Sequence, residues 1–192
     1  MLYAFGCSFT YGTSCINPKT DSWPVLLADL LETSCTNYGL PGASNDHIFK
    51  TVLENLLKID KNNDYIIVMM TSSSRRYFRK RNILPSTKAD IAKTFYKYLH
   101  DKECDSINFL QNLNAFHNIL KGYRYLITFM DARPLLECKE YNLGAGVSTK
   151  ENMYIPKRLG LHHYIEDIDN QHPSNKGHIA ISNELYKGYF NE

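Results

Sequence analysis

The run Tyr65-Ile66-Ile67-Val68-Met69-Met70 has no polar residue at alternate positions. A strand with one wet face alternates apolar and polar side chains; a strand covered on both faces does not, and such strands belong to parallel sheets flanked by helices. The polar turn Lys61-Asn62-Asn63-Asp64 precedes it, so the run reads as the central strand of a parallel sheet.

Other segments fit around it. Leu2-Tyr3-Ala4-Phe5, Cys35-Thr36-Asn37-Tyr38 and Tyr123 to Met130 read as strands, and a short fifth strand is expected near His162 to Ile165. Helical periodicity places Trp23, Leu26, Leu27, Leu30 and Leu31 on one face after a Ser22 cap. From about Asn45 a second helix stacks Ile48 and Phe49, Val52 and Leu53, Leu56 and Leu57. A third, Lys88 to His100, aligns Ile91, Phe95, Tyr98 and Leu99; a fourth, about Asp105 to Lys121, aligns Phe109, Leu113, Phe116 and Leu120 before Gly122 ends it. The last helix begins about His178 and repeats Ile181, Leu185 and Tyr189. Strands alternating with helices predict a doubly wound α/β sheet with helices on both faces. At 192 residues and 43% hydrophobic content, residues 1–192 suit one domain.

Composition removes several function classes. A formal net charge of +2 is too small to call for nucleic acid or a membrane surface, and no apolar run approaches the roughly 20 residues of a spanning helix. The first strand begins at Leu2, which leaves no room for a secretory leader, so the expectation is a soluble, cytoplasmic chain. Five cysteines, Cys7, Cys15, Cys35, Cys104 and Cys138, show neither disulfide nor zinc spacing and are expected as free thiols.

The chemistry concentrates at the two ends of the chain. In Gly6-Cys7-Ser8-Phe9-Thr10-Tyr11-Gly12 a serine follows an apolar strand and opens a helix, which holds it at the carboxyl edge of the sheet, where ligands of open α/β sheets bind. As an ordinary turn this stretch needs no function; as a nucleophile Ser8 needs a base, and the base needs an orienting partner. Asp169-Asn170-Gln171-His172-Pro173 supplies a carboxylate and an imidazole three residues apart.

Together with Asn37-Tyr38-Gly39-Leu40-Pro41-Gly42-Ala43-Ser44-Asn45, these stretches resemble, in order and spacing across nearly the whole chain, the SGNH (GDSL-type) hydrolase family. The resemblance implies a flavodoxin-like three-layer α/β/α sandwich with a mostly parallel sheet of about five strands. It further implies ester or thioester hydrolysis through an acyl-enzyme, with Ser8, Asp169 and His172 as triad and the N–H groups of Ser8 and Gly42 in the oxyanion hole. Removal of a small acyl group, such as acetyl from a carbohydrate, is the favoured reaction, and no cofactor is required. Acyl transfer by the same triad and a non-catalytic binding module are the competing classes. Two departures stand out. Cys7 occupies the place of the family's usual aspartate, and the third motif, Gly-x-Asn-Asp, is missing. By offset from the central strand Ser73 takes the place of that motif's asparagine, with Thr71 and Ser72 adjacent, and Asn45 is either a helix cap or a substitute amide.

Two further clusters have plainer readings. Arg75 to Arg81 places five cations among two aromatics. It is a thin footprint for nucleic acid and suits a solvated loop face or an anionic substrate. His162, His163, His172 and His178 lie close in sequence but lack the spacing of a metal site. The irregular stretch from Pro134 to Asp169 is the expected seat of substrate specificity.

Overall fold

The computed structural model describes residues 1–78, 80–140, 152–155 and 171–191. Four parallel strands, β1 (Leu2–Gly6), β2 (Cys35–Gly39), β3 (Tyr65–Met70) and β6 (Arg124–Phe129), form one sheet in the order β2-β1-β3-β6. β3 lies between β1 and β6, with Ala4 opposite Ile67 and Ile67 opposite Leu126, and Ile66 to Met70 are fully buried. The unalternating run is thus an interior strand. Beside β6, Ile127 donates its N–H to the Asn152 carbonyl and its own carbonyl accepts the Tyr154 N–H, each 2.9 Å, pairing Met153 in parallel. A fifth position of the sheet is therefore taken at 152–154; the strand expected at His162 to Ile165 lies outside the described residues.

The order reverses at β1, which sends its right-handed crossovers to opposite faces of the sheet. One face carries α1 (Ser8–Tyr11), α2 (Pro18–Asp21), α3 (Trp23–Leu30) and α8 (Asn175–Leu185), with α3 packed on α8; on the other, α4 (Asn45–Asn55) packs on α6 (Lys102–Ile119) and α6 on α7 (Arg133–Glu140). Phe49 and Phe116 meet edge to face at 5.3 Å across α4 and α6. This is the three-layer α/β/α sandwich. An antiparallel hairpin, β4 (Arg76–Phe78) and β5 (Arg81–Ile83), and helix α5 (Asp90–Tyr98) stand between β3 and α6.

The apolar faces were only partly buried as expected. On α6, Phe109, Leu113, Phe116 and Leu120 are all core, and on α8 Ile181 and Leu185 are. In α3 the buried set is Trp23, Pro24, Leu27 and Ala28, while Leu30 is exposed; in α4 Leu53 is exposed, as is Leu57 in the 3-10 turn that follows it. α5 buries only Ala92 and leaves Ile91, Tyr98 and Leu99 to solvent. Its bounds are tighter than Lys88 to His100, and α6 begins earlier than expected, at Lys102, because Asp101 accepts the Cys104 N–H at 2.8 Å and caps it. Among the described residues no helix is long and apolar enough to cross a membrane. Cys7, Cys15, Cys35 and Cys104 are free thiols.

Candidate active site at the carboxyl edge of the sheet

Ser8 is the first residue of α1, immediately beyond β1, and is 5% exposed. Its N–H is one of the donors a helix start leaves without an internal acceptor. Cys7 turns the opposite way: it is fully buried, with Sγ 3.7 Å from Met130 Sδ. The small α1 is anchored by Asn37, whose amide donates to the Thr10 carbonyl at 2.7 Å and to Ser22 Oγ at 3.3 Å while its oxygen accepts the Gly39 N–H at 2.8 Å. Asn37 thus braces the Ser8 turn from the neighbouring strand. The available signal was an asparagine inside a strand, where that residue is depleted.

The second turn hangs from the first. Leu40 donates its N–H to the Gly6 carbonyl at 3.0 Å, and Ala43 closes a turn by donating to Leu40 at 3.0 Å. With Pro41 at its second position and Gly42 at φ +77, this is the geometry of a type II turn. No backbone carbonyl among the described residues accepts the Gly42 N–H.

The third turn follows β3. Asn45 is 1% exposed and spends its amide here: Nδ2 donates to the Thr71 carbonyl at 3.2 Å and Oδ1 accepts the Thr71 N–H at 2.8 Å. It neither caps α4 nor offers an amide to the cleft; the cap is Ser44, whose Oγ accepts the His47 N–H at 3.3 Å. Thr71 Oγ1 lies 3.8 Å from Met130 Sδ, and the Ser72 and Ser74 hydroxyls pair at 2.9 Å. Ser73, 8% exposed, is the member of the series whose hydroxyl no described residue engages.

The basic run is not a solvated face where it begins. Arg75 donates to the Ala43 carbonyl at 3.3 Å, and Arg76 donates to the Ser73 and Arg75 carbonyls and to Asp105 Oδ1. Beyond it the hairpin packs over α4: Asn82 accepts the Ser44 N–H at 3.1 Å and pairs with His47 Nδ1 at 2.8 Å.

His172 arrives from the far end of the chain, its ring 5.8 Å from that of Phe9, the neighbour of Ser8. Three features fix that approach: Pro173 is buried, Ser174 caps α8 by accepting the Gly177 N–H at 3.4 Å, and Asn175 accepts the Ile16 N–H and donates to Asp21, each at 3.1 Å. Asp169 lies outside the described residues. Ser8, Gly42, Ser73 and His172 thus all border the carboxyl edge. No hydrogen bond joins Ser8 Oγ to a described residue. Asp131, at the end of β6, accepts the Arg133 N–H at 3.0 Å and begins a turn, as its Asp-Ala-Arg-Pro context suggests. No group of three or more His, Cys, Asp or Glu among the described residues could hold a metal ion.

No protein-family model matches the sequence, and no curated protein matches it. Solved structures do match in fold. A lipolytic protein of the G-D-S-L family from Desulfitobacterium hafniense DCB-2 superposes with a TM-score of 0.60 at 14% identity, over 97% of each chain. The psychrotrophic esterase EstA from Pseudoalteromonas sp., solved inhibited by monoethylphosphonate, gives 0.56 at 10% identity, over 100% of this chain and 98% of that one. A carbohydrate esterase family 2 enzyme of Corynascus thermopiles gives 0.55 at 10% identity, over 99% of this chain and 65% of that one.

Proposed function

We propose that this chain, which has the fold of the SGNH (GDSL-type) hydrolases, is a serine-dependent carboxylic ester hydrolase. The observation that carries the reading is the meeting of Ser8, the unengaged Gly42 N–H and His172 at one edge of the sheet, delivered by β1, β2 and the lead-in to α8. In the proposed reaction Ser8 Oγ attacks the ester carbonyl as His172 takes its proton, and the carbonyl oxygen, now an anion, receives the N–H groups of Ser8 and Gly42. Collapse of that intermediate expels the alcohol, which takes the proton back from His172; water then attacks the acyl-serine by the same route. Asp169 is the proposed partner that orients the imidazole. Ser73 is proposed as third donor in place of the missing asparagine; its hydroxyl is short and must rotate to donate, and such a donor is typically worth about 2.7–4 kcal/mol of transition-state stabilisation.

The favoured substrate is a small acyl ester on a carbohydrate. The likeness in fold to a carbohydrate esterase is its support, and nothing in the reaction calls for a cofactor. The serine in place of an asparagine favours one second reading, a binding module of the same fold without turnover. Labelling with a fluorophosphonate separates the two. The expected result is labelled wild type, no labelling of Ser8→Ala, sharply reduced labelling of His172→Ala and full labelling of Cys7→Ala, whose thiol is buried against Met130. Folded wild-type protein that takes no label would move the assignment to the binding module. If the Cys7 variant alone lost its label, the thiol would be the nucleophile.

A further inference from the structure

The paired arginines at the head of the basic run are tied into the third turn rather than turned to solvent. Three consecutive carbonyls of this turn accept side-chain donors: Ser73 from Arg76, Ser74 from Tyr96 Oη at 2.6 Å, and Arg75 from Arg76 at 3.1 Å. With Asn45 clamping both backbone groups of Thr71, the peptide planes from 71 to 75 have little freedom to rotate. The Arg76 guanidinium is itself aimed. One nitrogen meets the carbonyls and the other meets Asp105, which is 4% exposed on α6 and whose second oxygen accepts His100 Nε2–H at 2.7 Å. An ionised carboxylate only accepts, so it fixes both the guanidinium fork and the imidazole tautomer.

We propose that Arg76, held by Asp105 and His100, is the positioning residue for the oxyanion turn Thr71–Ser74. This inference rests on reading Ser73 as an oxyanion donor. A serine hydroxyl can serve an oxyanion only if its backbone is already placed, because preorganised donors need no reorganisation at the moment of reaction. An asparagine side chain is longer and carries its own planar amide; here that reach is absent and the backbone fixation stands in its place. Arg75 joins the second and third turns by donating to the Ala43 carbonyl, one residue from Gly42, so the two donor turns are held to each other.

The test is a double-mutant cycle on the full chain with p-nitrophenyl acetate. Arg76→Gln is expected to lower kcat about 10- to 100-fold with KM within about twofold. Combining it with Ser73→Ala is expected to cost little beyond the larger single loss, since both act through one donor. Arg76→Lys should recover part of the rate, as a single ammonium can reach one carbonyl but cannot fork. Removing the guanidinium alone strands the buried Asp105 charge, so Arg76→Gln/Asp105→Asn is measured beside it and should show the same kcat loss in stably folded protein. Wild-type kcat in the Arg76 variants, or losses that multiply in full with those of Ser73→Ala, would overturn the proposal. Amide hydrogen exchange at 72–75 is read in parallel. It should rise in Arg76→Gln while β3 stays unchanged, and an unchanged turn overturns the proposal whether or not the chain hydrolyses esters. Failure of wild-type protein to turn over the ester or take the phosphonate would instead count against the hydrolase reading.

Discussion

Two glycines of one motif are held for different reasons, and a methyl group tells them apart. At Gly39 an added Cβ would sit 2.3 Å from the Tyr11 nitrogen and 2.7 Å from the Thr10 carbonyl carbon, so β2 can approach α1 only without a side chain. Backbone cannot yield there as a side-chain tip can. At Gly42 the space is open, with Leu84 Cδ1 at an ordinary 3.6 Å, but φ is +77. The expected cost of Gly42→Ala is therefore backbone strain alone, about 1–2 kcal/mol, with kcat reduced because relief of the strain turns the N–H away from the cleft. Gly39→Ala should cost well beyond the about 1 kcal/mol of an ordinary point change, since α1 and β2 must part to admit it. Urea denaturation of both variants is the check; a Gly39→Ala protein as stable as Gly42→Ala would refute the close-approach argument.

Helix α8 does more than deliver His172. Within it, His178 has no exposed surface, and its Nδ1 accepts the N–H of Trp23, the first residue of α3, at 3.1 Å. The side chain of one helix thus satisfies an orphan donor at the start of another, which Ser22 does not do through its own side chain. Burial, and after it the nearby His172, push the His178 imidazole down from 6.5 to about 4, with Asp21 opposing weakly. As pH falls the unfolded chain binds this proton before the folded one, so the contribution is complete above about 6.5 and is lost as pH falls toward about 4. The gap corresponds to on the order of 3 kcal/mol. His178→Gln, measured by denaturation from pH 7 to pH 4, should be less stable than wild type at neutral pH by a margin that narrows steadily on acidification. A margin independent of pH would mean that the ring does not titrate with folding.

The same scale shows what the sequence could reveal. β3 and α6 were legible because their signals are periodic and local: an unbroken apolar run, and Phe109, Leu113, Phe116 and Leu120 one turn apart, all of them core. α5 carries an equally regular stripe, yet Ile91, Tyr98 and Leu99 are exposed, because a stripe names a face without naming what covers it. The cap of α4 was displaced by one residue since Ser44 and Asn45 are both good capping types. What separates them is Thr71, 26 residues on, which occupies the Asn45 amide. Arg75 and Arg76 read as solvated for the same reason: the carboxylate that organises Arg76 is Asp105, 29 residues downstream. Ser8, the turn at Gly42 and His172 could be singled out in the sequence because each sits in a short motif; the side chains that brace those turns could not.

At the level of the whole chain, cohesion is distributed unevenly. β1, β3 and β6 are hydrogen-bonded to one another along their length and sandwiched between two helical layers, with Phe5, Ile67, Met69 and Phe129 fully buried. The hairpin and α5 are an outlying unit: two strands of three residues, and a helix of nine whose fully covered side chain is Ala92. Cooperative units with little buried apolar surface open at the lower end of the free-energy scale. Native-state hydrogen exchange should therefore find α5 amides protected at least about 100-fold less than those of β3, with α6 exchanging alongside the sheet. Opening of α5 alone, with the hairpin in place, withdraws Tyr96 from the Ser74 carbonyl but leaves Arg76, at the root of β4, with Asp105 of α6, so the turn Thr71–Ser74 keeps its ionic anchor through that fluctuation. Denaturant just sufficient to expose α5 should then leave fluorophosphonate labelling of Ser8 nearly intact. Equal protection in α5 and β3, or labelling lost in step with α5, would show instead that hairpin, helix and sheet open as a single unit.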